Sequence, residues 1–303
     1  MSYSSTKKIL IIGATGQLGR LCLKVFSSEK YQVLGTGFSR LSSDLVPLDL
    51  SKEGQAAEVV SLVRPDIAVI CGAMTDVEGC ESSREKAFQI NLKSPADIAR
   101  EMKKIPGGKF VFLSTDYVFD GTSGPYDENS LTHPLNVYGE SKLEGEKAVL
   151  EVSEKNLVVR TTTVYSFQAG GNNFTMQLLK RLSQKEKMLV ASDQWATPTY
   201  AQDLALALEK LLEVDAHGII HAAGPDFVSR LDFAQEAARI LKLDPSLIQG
   251  RSTSELKQKA KRPLKAGLRT ERLQKTVGHL MRGIREGLYD FAKNSVTYQV
   301  AKK

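Results

Sequence analysis

The stretch "KKILIIGATGQLGRLCLKVF" at positions 7–26 restricts this chain more than any other. Its opening run carries apolar residues without the alternation of a half-exposed strand, so both faces of that strand must be covered. Three glycines then end the strand, and the residues after them read as a helix.

The same alternation recurs. Strands are expected at "YQVLGTG", "LVPLDL", "DIAVICGA", "KFVFLSTD" and "NLVVRTTTVY", with helices near 53–63, 83–103, 136–152 and 173–184. Continuous apolar strands interleaved with helices imply a parallel sheet with helices on both faces. The expected fold class is therefore α/β, a doubly wound parallel sheet of the Rossmann type. Beyond about residue 165 the pattern is less regular, with helices at "AQDLALALEKLL", "RLDFAQEAARIL" and "LMRGIREGLYDF" separated by "HGIIHAAG" and polar loops. A chain of 303 residues is long enough for one large domain and a lobe. The boundaries expected are 1–165 for the sheet domain and 166–303 for a smaller C-terminal substrate lobe, partly interleaved with it.

"GATGQLG" places Gly13, Gly16 and Gly19 where the first strand opens into a helix. Glycines permit the tight turn there, and backbone N–H groups at the helix N-terminus suit a pyrophosphate. A dinucleotide cofactor is expected on Gly13, Thr15, Gly16, Gln17, Leu18 and Gly19. Cys71, Gly72 and Ala73 at the end of the fourth strand, and Asp49 and Leu50 closing the third beside the adenine, are expected to border it. The end of the second strand reads "GTGFSRLSS", with Ser39 and Arg40 and no carboxylate until Asp44. An acidic residue there would bind the 2′-hydroxyl of NAD, so its absence points to NADP(H).

"STDYVFDG" at 114–121 puts Thr115 at the C-terminal end of a parallel strand, the edge where such sheets bind ligands. "YGESK" at 138–142 puts Tyr138 and Lys142 one turn apart on one helix face. Reduction of a carbonyl by hydride needs a proton delivered to the oxygen. Tyr138 can give it, and the expectation is that the Lys142 ammonium lowers the phenol from its ordinary value of about 10. Thr115 would hydrogen-bond the carbonyl oxygen.

These blocks, with "PLNVYGESKLEGEKAVL", "GNNF" at 171–174, "DQWATPT" at 193–199 and "RPLKAGL" at 262–268, resemble the extended short-chain dehydrogenase/reductases. Within them the chain is similar to the dTDP-4-dehydrorhamnose reductases over nearly its whole length. The resemblance implies NADPH-dependent reduction of a nucleotide-linked 4-keto sugar, with Thr115, Tyr138 and Lys142 as catalytic residues. It also implies support from Asn91 on the adjacent helix and Tyr117 near the sugar, and Thr75 is expected on the substrate side. Arg262 is expected to clamp the diphosphate, since a guanidinium suits phosphate oxygens. Trp195 either lines the substrate mouth or anchors the lobe. One position departs: the family commonly has "RTSW" or "RTAW" where this chain reads "RTTT", so Thr163 replaces a large aromatic.

The same blocks also resemble the regulatory beta subunit of methionine adenosyltransferase, which keeps the NADP fold as a binding partner and also lacks that tryptophan. One fold thus carries two functional classes. The partner implied is a nucleotide sugar, with a homodimer compatible, or else the catalytic subunit of methionine adenosyltransferase.

Other classes find little support. Residues 251–303 hold 14 Lys/Arg against 4 Asp/Glu, yet no aromatic-studded basic strand accompanies them, so nucleic-acid binding is not expected. Cys22, Cys71 and Cys80 lack metal-ligand spacing, and with four scattered His no metal site is expected. No run is long enough to span a bilayer, and "MSYSSTKK" lacks a signal-peptide core, so a cytoplasmic protein is expected.

Overall fold

The structure, a computed structural model, describes residues 6–26, 30–38, 43–279 and 281–301, with side chains to residue 295. The strands β1 (Lys7–Ile12), β2 (Tyr31–Gly37), β3 (Leu45–Pro47), β4 (Ile67–Ile70), β5 (Lys109–Thr115) and β6 (Leu157–Thr161) form a parallel sheet in the order 3-2-1-4-5-6. A seventh strand, Gly218–His221, joins in parallel beside β6. The fold is the expected α/β, Rossmann-like sheet, and "HGIIHAAG", read from sequence only as a spacer between helices, supplies its last strand.

Side chains alternate across a strand, so a strand covered on both faces is apolar throughout. Ile9, Ile11, Val69, Val111 and Val159 pack with Cys22 and Phe26 of α1 (Gln17–Phe26) and with Leu204, Leu208 and Leu211 of α8 (Ala201–Glu213). Leu10, Ile12, Ala68, Ile70, Phe110 and Phe112 face the other way. They meet Val59 and Val60 of α2 (Gln55–Val63), Ile98 and Met102 of α5 (Ser94–Lys103), and Val149 of α6 (Val137–Val152).

The lobe has its own core. Leu178 and Leu182 of α7 (Phe174–Ser183), Phe233 and Ala237 of α9 (Arg230–Ile240), and Leu288 and Phe291 of α11 (Ile284–Ala301) pack around Tyr165.

Two expected elements are interrupted, both near the site. The run "NLVVRTTTVY" ends as a strand at Thr161 and resumes at Val164–Tyr165, which pairs with Thr199–Tyr200 instead. Between them Thr163 has φ 42°, a left-handed conformation unusual for a β-branched residue. The helix expected over 83–103 is α4 (Arg84–Phe88), a π-helical turn at Gln89–Lys93, and then α5.

Candidate functional site

The glycine turn after β1 fits a dinucleotide. Gly13 has φ 83°, and a Cβ there would lie 2.7 Å from the Gly72 nitrogen. A Cβ on Gly19 would lie 2.3 Å from the Gly13 carbonyl oxygen, so α1 sits hard against the turn. Gly72 and Cys71 are fixed by N–H bonds to the Ile12 carbonyl. Gln17 opens α1; its Oε1 accepts from Asn173 of the lobe at 3.2 Å, while its buried Nε2 has no partner among the described residues. An orphaned donor beside a glycine cradle at a helix N-terminus suits an anionic dinucleotide.

Of the other expected cofactor residues, Asp49 uses its carboxylate to cap its own turn, accepting from the N–H and hydroxyl of Ser51 at 2.9 and 2.7 Å. Leu50 approaches Gly72. Thr15, Leu18 and Ala73 are half-buried at the turn and after β4. Ser39 and Arg40 lie outside the described residues.

Thr115 ends β5 and caps the short 3-10 turn that follows, accepting from the Tyr117 N–H at 3.2 Å. Tyr138 lies in the first turn of α6, which starts where the Asn136 side chain accepts from the Gly139 N–H at 2.8 Å. The cap orients the helix so that Tyr138 comes beside Thr115, whose hydroxyl pulls the phenol's pKa down, and Lys142 points inward one turn later. The Lys142 ammonium lies 3.9 Å from the centre of the Phe112 ring.

The electrostatics differ from the sequence expectation. Burial raises the Tyr138 phenol above its ordinary range, against the pull of Thr115. Burial also depresses Lys142 to about 7, with Glu146 opposing it from the next turn of α6. Two enclosed groups on one helix face each lose their hydration, and that cost sets both shifts.

Asn91 occupies the π turn and is fully buried. Its Oδ1 accepts from the Met74 N–H at 2.9 Å, and its Nδ2 donates to the Met74 carbonyl and to Ser141 Oγ at 3.1 and 3.0 Å. Asn91 therefore ties the segment after β4 to α6. Thr75, the next residue along that segment, is exposed.

A pocket opens beside Thr115, lined by Asp116, Tyr117, Thr163, Gln194, Trp195, Arg230 and Phe233, among others. Tyr117 packs edge-on to Tyr138, ring centres 5.5 Å apart. Trp195 lines the pocket with its ring 5.6 Å from that of Phe227, and its backbone N–H donates to the Leu264 carbonyl at 2.6 Å. Arg262 is pinned by Glu78 at 2.7 Å and reaches the Tyr117 hydroxyl at 3.5 Å, while its buried Nε has no partner among the described residues.

Sequence reasoning assigned no role to three groups here. Arg230 stacks over Phe174 at 3.9 Å, with no carboxylate bonded to its guanidinium among the described residues, and only the tertiary fold could have brought it to the pocket. Asp116 lies within a motif read for its threonine. Glu146 continues the Tyr138–Lys142 spacing by one more turn, so a signal was present. Among the described residues no group of three or more His, Cys, Asp or Glu could hold a metal ion, and no helix is long and apolar enough to cross a membrane.

Residues 7–297 match the RmlD substrate binding domain family. A dTDP-4-dehydrorhamnose reductase of Aggregatibacter actinomycetemcomitans is 32% identical over 285 residues, covering 89% of this chain and 93% of its own. Methionine adenosyltransferase 2 subunit beta of Bos taurus is 30% identical over 297 residues, covering 94% and 88%. The fold also superposes on a dTDP-4-dehydrorhamnose reductase of Bacillus anthracis in complex with NADP. There the TM-score is 0.86 and the identity 30%, over 95% of this chain and 99% of that one. With a match that runs from β1 into α11, this chain belongs to the RmlD substrate binding domain family.

Proposed function

We propose that this protein is an NADPH-dependent reductase of a nucleotide-linked 4-keto-6-deoxy sugar. The observation that carries the reading is the meeting of Thr115, Tyr138 and inward-pointing Lys142 at the C-terminal edge of the sheet, beside a pocket bordered by an arginine. NADPH, when bound, supplies the hydride. Tyr138 Oη gives its proton to the carbonyl oxygen as charge develops there, and its raised pKa keeps it in the donor form at neutral pH. Thr115, when its hydroxyl proton is free of Asp116, donates to the same oxygen, and Lys142 would hold the cofactor ribose and restore the proton. Arg230 and Arg262 bracket Tyr117 and suit a diphosphate. Trp195, paired with Phe227, offers the apolar face that Thr163 does not.

The similarity to the bovine beta subunit supports a second reading, an NADP-binding regulator of methionine adenosyltransferase. Thr163 in place of an aromatic is compatible with it. The test is NADPH oxidation by the whole chain across a panel of 4-keto-6-deoxy nucleotide sugars. Turnover with one of them, lost in Tyr138→Phe, supports the reductase. Inertness across the panel, with capture of a methionine adenosyltransferase by pull-down, replaces it with the regulator.

A further inference from the structure

One buried carboxyl borders the pocket without an assigned task. Asp116 is 3% exposed and lines the pocket with Tyr117, Thr163 and Arg230. Both its oxygens are engaged: Oδ1 accepts from Thr115 Oγ1 at 3.1 Å, and Oδ2 accepts from Thr162 Oγ1 at 2.6 Å. The groups that hold its charge most strongly are these hydroxyls and backbone N–H donors, Gly267 among them.

A threonine hydroxyl has one proton to give. Thr115 spends it on Asp116, and its oxygen accepts from the Tyr117 N–H at 3.2 Å. No second proton remains for the pocket. A hydrogen bond to a carboxylate is stronger than one to a neutral ketone, so an ionised Asp116 keeps that proton.

We infer that Asp116 sets the direction of the Thr115 hydroxyl. Ionised, it holds the Thr115 proton away from the pocket. Protonated from solvent, it releases the Thr115 proton toward the carbonyl oxygen of a bound ketone. Asp116 is thus a positioning residue that acts through Thr115, and this rests on the reductase reading.

The surroundings put the change within an ordinary pH profile. Burial pushes the Asp116 carboxyl up to about 6, with Thr162 and Thr115 opposing. Tyr138 from α6 and Tyr117 from its own turn face it, and burial holds both phenols above their usual range, so both are neutral there. The cations Arg262 and Arg230 act on Tyr117, and Lys142 and Glu146 follow Tyr138 along α6.

The experiment compares wild type, Asp116→Asn and Thr162→Val in NADPH oxidation with a 4-keto-6-deoxy nucleotide sugar, from about pH 5 to about pH 8. Wild-type kcat should be several-fold higher below the ionisation than above it. Asp116→Asn should be flat across the range. Thr162→Val, which loses a donor to the carboxylate, should move the midpoint up by about one pH unit. A second readout needs no turnover: the infrared carboxyl band that disappears in Asp116→Asn should titrate at a higher pH in both Thr115→Val and Thr162→Val. An unchanged midpoint in Thr115→Val, or a wild-type pH profile in Asp116→Asn, overturns the proposal. Should wild type be inert with every sugar while Thr115→Val shifts the band, the hydroxyl's direction is upheld and the reductase reading is what fails.

Discussion

Arg160 and Glu146 form an ion pair sealed inside the protein, 3% and 2% exposed, with Nη2 and Nε of the arginine 2.6 and 2.9 Å from the carboxylate. Arg160 also lies 3.4 Å from His221 Nε2 on the neighbouring strand. Glu146 thus binds α6 to β6 one turn beyond Lys142. Removing one partner leaves the other charged and enclosed, so Glu146→Gln should cost about 3–5 kcal/mol in urea unfolding. Glu146→Leu with Arg160→Met should recover most of that loss. Additive costs in the double variant would show that the pair does not act as a unit.

Tyr138→Phe removes the phenol and little volume. Turnover should fall by about 10²–10⁴-fold, with the NADPH dissociation constant changed by less than about twofold. Stopped-flow rates and fluorescence titration measure the two effects separately.

Lys142 is held at about 7, below its ordinary value, because burial disfavours the ammonium. Between about pH 7 and about pH 10.5 the unfolded chain binds that proton and the folded chain does not, so this group makes stability rise with pH across the window. Lys142→Met should flatten the rise. It should also add about 1 kcal/mol of stability near pH 7 while abolishing turnover, measured by denaturant unfolding at several pH values.

Thr163 holds a left-handed backbone that costs a β-branched residue about 1–2 kcal/mol. Thr163→Gly should recover about 1 kcal/mol in thermal unfolding. Because the same side chain lines the pocket, the Michaelis constant for the sugar nucleotide should change as well. Stability that falls in Thr163→Gly would mean the hydroxyl's contact with Thr162, 3.4 Å away, outweighs the strain.

Arg40→Ala should narrow any preference for NADPH over NADH, since a 2′-phosphate needs a cationic partner at the end of β2. Equal dissociation constants for both cofactors in wild type would remove the basis for that choice.

The sheet was legible because its strands are apolar on both faces, and the glycine turn because a side chain at Gly13 or Gly19 collides with backbone. That Tyr138 and Lys142 share a helix face followed from their spacing, and the place of Thr115 at the ligand edge from strand polarity; bringing the two together needed the family resemblance. Arg230 was not legible, since nothing local relates the start of α9 to the end of β5. The strand break at Thr163 was hidden for a different reason: threonine favours strands, and tertiary pairing with Thr199 overrides that preference.

The position of the seventh strand bears on how the chain is made. Gly218–His221 pairs with Leu157–Arg160 across the intervening short strands, α7 and α8, and α8 itself covers Ile9 and Val111. A ribosome must therefore release more than two-thirds of the polypeptide before the sheet gains its last strand and one face gains its cover. Until then β6 presents an unpaired edge, open to pairing with another chain. A product ending at residue 165 should emerge as aggregate or as a loosely packed species without near-ultraviolet circular dichroism.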